Sequence, residues 1–107
     1  MGSLQDCEVT RHAWRKIGRL SATLIKHGLD PSLILYAVKK VCSDPETFDR
    51  EEAVSGKRYV CFSLSDSFYL IIVFVKGSTV RIITVIITTK LRDVTKKCGR
   101  HHPLIAE

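Results

Sequence analysis

Residues 68–89 form two long apolar runs rich in β-branched side chains, parted by Gly77-Ser78, and few architectures accept such a pair. β-Branched and aromatic side chains fit a pleated surface. A glycine followed by a serine between two such runs marks a tight hairpin with glycine at its first central position. The spacing predicts strands over 68–75 and 79–89 joined by a two-residue type II′ turn. In that register Phe74 faces Arg81, Ile72 faces Ile83 and Leu70 faces Val85, all on the face beneath the helices. The other face then carries Tyr69, Ile71, Val73, Val80, Ile82, Thr84, Ile86, Thr88 and Lys90. Residues 57–64 alternate with the same period of two and predict a third strand, with Lys57, Tyr59, Cys61 and Ser63 on one side.

Upstream the period is helical. Ala13, Ile17, Leu20 and Leu24 recur at three or four residues, with Trp14, Ser21 and Ile25 beside them, so a helix from a Thr10 cap to about His27 has one apolar face. Gly28 supplies its stop. Asp30-Pro31 opens a second helix to about Cys42 with Leu33, Ile34, Ala37, Val38 and Val41 inward. Ser43-Asp44-Pro45 ends it. A loop with a short edge strand near Thr47-Phe48 is expected before Gly56.

Two helices followed by a meander predict an α+β fold, with both helices on one face of a three- or four-stranded antiparallel sheet. The 107 residues suit a single domain, with an ordered core over about 10–92 and a basic tail over 93–107. Helices on one side leave Ile71, Val73, Ile82 and Ile86 in need of cover. A second copy of the chain would supply it, and so would the tail folding back.

The charge balance narrows the function. Lysine and arginine outnumber acids 17 to 11, and the acids gather at Asp44, Glu46, Asp49, Glu51 and Glu52. On the first helix Arg11, His12, Arg15, Lys16, Arg19 and Lys26 fall within an arc of about 140° at roughly 100° per residue. Such a face suits an anionic partner such as nucleic acid, RNA included, or an acidic protein, or serves simply as a solvated surface. No apolar run approaches the roughly 18 residues of a membrane span, and no leader-like segment follows Met1, so a cytoplasmic chain is expected. Asparagine is absent and glutamine occurs once, a composition that fits a heat-adapted source. Cys7, Cys42, Cys61 and Cys98 are too widely spaced for a metal knuckle; buried free thiols are expected, with a Cys7 to Cys98 pair left open.

Phosphate loops, nucleophile elbows and metal-binding histidine pairs are missing, so no cofactor and no metal are expected. What remains is a metal-free set for RNA transesterification: a base for the 2′-OH, cations for the phosphate and an acid for the leaving oxygen. His12 is the candidate base, Arg15 and Arg81 the phosphate clamps, and Lys57, Tyr59 and Lys90 the helpers, with Thr84 and Thr88 nearby. His101 and His102 fall in the tail.

Three segments carry a resemblance. Lys26-His27-Gly28-Leu29, Ser43-Asp44-Pro45 and Arg81-Ile82-Ile83-Thr84 resemble motifs of the BrnT toxins. Thr10-Arg11-His12-Ala13 and Ile83-Thr84-Val85 are similar to an uncharacterised prokaryotic domain family, and both groups resemble the RelE-type ribonuclease fold. The resemblance implies a small basic endoribonuclease that works without metal and is neutralised by an antitoxin protein. Arg81 and Thr84 would stand for the arginine and serine of the family strand, while Ile86 replaces the second arginine usual there.

Overall fold

The computed structural model describes residues 2–4, 7–48, 56–99 and 101–104. Along the chain run β1 (Gly2–Leu4), β2 (Cys7–Val9), α1 (Arg11–Lys26), α2 (Ser32–Ser43), α3 (Pro45–Phe48), β3 (Arg58–Ser63), β4 (Tyr69–Lys76), β5 (Val80–Thr88), α4 (Leu91–Cys98) and β6 (His102–Pro103). The fold class is α+β, as expected. The sheet is mixed rather than antiparallel, with order β1-β2-β5-β4-β3-β6. β3, β4 and β5 form the predicted antiparallel meander, while β2 joins β5 and β6 joins β3 in parallel.

Local chemistry fixes the helices. Thr10 Oγ1 accepts from Ala13 N at 3.1 Å and donates to the Ile83 carbonyl at 3.2 Å, so one hydroxyl caps α1 and ties it to β5. At the far end Leu29 N donates to Leu24 O and Gly28 N to Ile25 O, with Gly28 at φ 75°, a left-handed stop that favours glycine. α2 begins where Asp30 Oδ1 accepts from Ser32 N and from its hydroxyl. Residues 45–48 turn helically as α3; the edge strand expected at Thr47-Phe48 does not form, because Thr47 Oγ1 donates back to Asp44 Oδ2 across a single turn. The rest of the acidic stretch, 49–55, lies outside the described residues.

The hairpin departs from its predicted register. Lys76 pairs with Val80 and Phe74 with Ile82, leaving a three-residue loop over 77–79, and the register shifts between Val73 and Phe74 so that Ile83 becomes an extra residue. Val73 pairs with Thr84 and Ile72 with Val85. A bulge of this kind reverses which residues face which way on either side of it. Val80 and Ile82 therefore enter the helix-side core, whereas Arg81 points to the other face.

Two cores result. Beneath α1 and α2, the fully buried Phe62, Phe74, Leu24, Ile34, Leu70, Ile72 and Ile82 form the main cluster, each side chain contributing about 1.5–3 kcal/mol by its removal from water. On the other face Cys61, Ile71 and Val73 are covered by Val94 and Cys98 of α4. The segment expected as a tail thus covers the middle of that face. β4 is buried on both sides, which explains its unbroken apolar run.

The thiols are not free. Cys7 pairs with Cys42 in the main core, and Cys61 pairs with Cys98 in the second, with Cα separations of 5.5 and 6.1 Å. A Cys7 to Cys98 bond is therefore excluded, since the sheet lies between them. Among the described residues no helix is long and apolar enough to cross a membrane.

Candidate nucleic-acid interface

α1 carries a buried apolar face and a cationic outward arc, with Ile25 exposed beside that arc. Ala13, Ile17 and Leu24 are buried, with Trp14 and Leu20 packed beside them. On the outward arc Arg11, His12, Arg15, Arg19 and Lys26 are exposed and Lys16 half-exposed. The helix contains no acid, and none of these six side chains forms an ion pair within the described residues. Three cations occupy the first turns, at the positive end of the helix dipole, without the carboxylate that ordinarily offsets it. Only Lys26, in the last turn, sits where the dipole favours it. Among the described residues this face therefore carries cations without a paired acid.

Gly18 and Ala22 lie on the same outward side and are exposed. A methyl group added at Gly18 would meet nothing within 4 Å. Between the long arginines, then, the helix backbone itself is open to close approach.

The other predicted site residues stand elsewhere. Arg81 Nε donates to Glu8 Oε1 at 2.7 Å on the face covered by α4. Tyr59 is half-buried in the second core, with Lys97 Nζ 5.7 Å from its ring centre. Lys57 is exposed just before β3. Lys90 occupies the N-cap position of α4, where its backbone N–H donates to Thr88 Oγ1 at 3.1 Å, and the same hydroxyl donates to Asp93 Oδ2 at 3.0 Å. Thr84 is half-buried beside the bulge. The sheet therefore divides the set, with His12 and Arg15 above it and Arg81, Tyr59 and Lys90 below. His12 itself makes no hydrogen bond to a described residue.

The C-terminal histidines, expected in a tail, belong to the body. Phe62 pairs with His102 across β3 and β6, the His102 ring lies 5.0 Å from that of Phe48, and the His101 ring lies 5.2 Å from that of Tyr69. Leu104 beyond them is buried. Ser63, Ser65, Asp66, His101 and Pro103 line an open hollow of about 340 Å³ here. Two residues of β6 carry too little pattern for the sequence to place the histidines against the Ser65-Asp66-Ser67 turn.

Comparison with protein-family models, with curated proteins and with solved structures finds no match to this chain.

Proposed function

We propose that this chain is an RNA-binding domain that grips the phosphate backbone through the outward face of α1. One observation carries the reading: six cationic or protonatable side chains share one exposed arc with no acid among them and no ion pair within the described residues. A surface evolved only for solubility gains from mixed signs, whereas counterion release from a polyanion rewards a single-sign stripe. An RNA partner implies an intracellular chain. Two buried disulfides then fit a heat-adapted source, in which intracellular disulfides occur.

Titrating labelled RNA at several salt concentrations tests this. Affinity should fall steeply with salt and collapse in an Arg11→Glu/Arg15→Glu/Arg19→Glu variant. Retained affinity in that variant would sink the reading.

A second reading is a BrnT- or RelE-like, metal-independent endoribonuclease held in check by an antitoxin protein. Its support is the order of two helices and a meander whose last strand bears Arg81-Ile82-Ile83-Thr84. Against it weighs the separation of His12 from Arg81 by the sheet. Incubation with mRNA in EDTA decides: cleavage lost in His12→Ala and Arg81→Ala would establish it, and intact RNA would remove it.

A further inference from the structure

We infer that the RNA taken by α1 is double-helical, held by its backbone across the minor groove; the inference rests on the RNA-binding reading above. Single strands are ordinarily held by bases stacking on successive aromatic rings, which offsets the entropy of ordering a flexible chain. The cationic arc offers no such run. Trp14 is turned into the core cluster, the exposed Tyr36 lies on α2, and Tyr59 and Tyr69 belong to the opposite face of the sheet. Apart from the His12 imidazole, the arc offers no ring for a base to stack on, and its long side chains are cations. A duplex needs only charge, because its phosphates are already fixed in space and densely arrayed.

The charged face is also long: from Arg11 to Lys26 the helix rises about 22 Å, a length over which a duplex presents several phosphates per strand (one per ~3.4 Å of axis in B-DNA). The kind of groove follows from how α1 sits. It lies on the sheet with Ala13, Ile17 and Leu24 buried, so much less than its roughly 10–12 Å diameter stands proud. Such a ridge cannot reach into the deep, narrow major groove of A-form RNA, but it fits against the wide, shallow minor groove, where 2′-hydroxyls and base edges are displayed. Gly18 and Ala22 on the outward side then let a ribose edge approach the backbone while the arginines reach the phosphates on either side.

The test is fluorescence anisotropy with three labelled probes of about two helical turns: an RNA duplex, an unstructured single-stranded RNA and a DNA duplex. Wild type should bind the RNA duplex at least about tenfold more tightly than the single strand, with a log–log salt slope of about −4 to −5 if five cations engage. Arg15→Gln/Arg19→Gln, a surface change that leaves the core intact, should lower that slope by nearly two. Equal or tighter binding of the single strand, still dependent on α1, would overturn the inference while sparing the RNA-binding reading. Equal or tighter binding of the DNA duplex would overturn the choice of RNA. Failure to bind any probe would overturn both.

Discussion

Arg81 and Glu8 are Cα partners across the parallel pairing of β5 with β2, and Arg81 Nε donates to Glu8 Oε1 at 2.7 Å. The carboxylate holds the arginine on the α4 side of the sheet, away from α1. With 56% of the arginine side chain and 28% of the glutamate exposed, solvent screens the pair. Glu8→Gln should therefore lower the unfolding free energy by less than about 1 kcal/mol in urea denaturation. RNA affinity through α1 should not change.

Neutralising the α1 face one residue at a time should separate binding from folding. Arg15→Ala and Arg19→Ala are each expected to change stability by no more than about 0.5 kcal/mol, since both side chains are exposed and unpaired within the described residues. Each should lower the log–log salt slope for RNA binding by roughly 0.7–0.9. Thermal melts and salt titrations on the same preparations check both halves.

Thr10 joins helix to sheet with one hydroxyl. Thr10→Ala removes the cap to Ala13 and the bond to Ile83 together, and should cost about 1–2 kcal/mol. Thr10→Ser keeps the oxygen and should recover most of that. Equal losses in the two variants, read by denaturant midpoint, would show that the methyl group rather than the hydroxyl matters.

Strong local signals were legible in the sequence; pairings between distant segments were not. Thr10 and Gly28 each announce a helix boundary through a hydrogen bond made within a few residues and act as expected. Asp30 instead accepts from Ser32 one position ahead of Pro31, which takes the N-cap place expected of the aspartate. The meander was visible because period two persists over whole strands. β2 and β6 are three and two residues long, too short to show any period, and they exist only because β5 and β3 offer free edges. The face of Arg81 was misread for a related reason: the three-residue loop and the extra residue at Ile83 leave no mark in composition, yet they decide which way β5 points. The cationic arc of α1 survived because it depends on helical period alone. Its supposed partners on β3 and β5 did not, because their side of the sheet depended on the register and on α4.

The disulfide pattern is directly observable. Peptide mapping without reductant should recover Cys7 linked to Cys42 and Cys61 linked to Cys98, with no Cys7 to Cys98 species. Replacing either pair with serine should cost about 2–4 kcal/mol, because each closes a loop of a few dozen residues in the unfolded chain.

Acid should weaken the start of α2. The backbone N–H and then the hydroxyl of Ser32 hydrogen-bond the Asp30 carboxylate and hold its pKa below the ordinary 3.8. A depressed carboxyl pKa adds stability that is complete above the unfolded value and is lost as pH falls through the folded one. The difference in stability between wild type and Asp30→Ala should therefore be constant above about pH 5 and shrink below the ordinary value. An NMR titration placing the Asp30 midpoint at or above 3.8 would contradict its hydrogen bonds from Ser32.

The register of β2 on β5 sets Cys7 beside Val80 and Val9 beside Ile82, and this has a consequence for synthesis. A ribosome releases residues 7–9 long before 80–82 exist, and chains emerge amino end first. With only β1 beside it, β2 must wait for its inner neighbour while α1 and α2 are made, and it gains β5 only when most of the polypeptide is out. A nascent chain halted before Val80 would carry a positively charged helix with no finished sheet to dock on, so the domain is born nearly all at once, at its end.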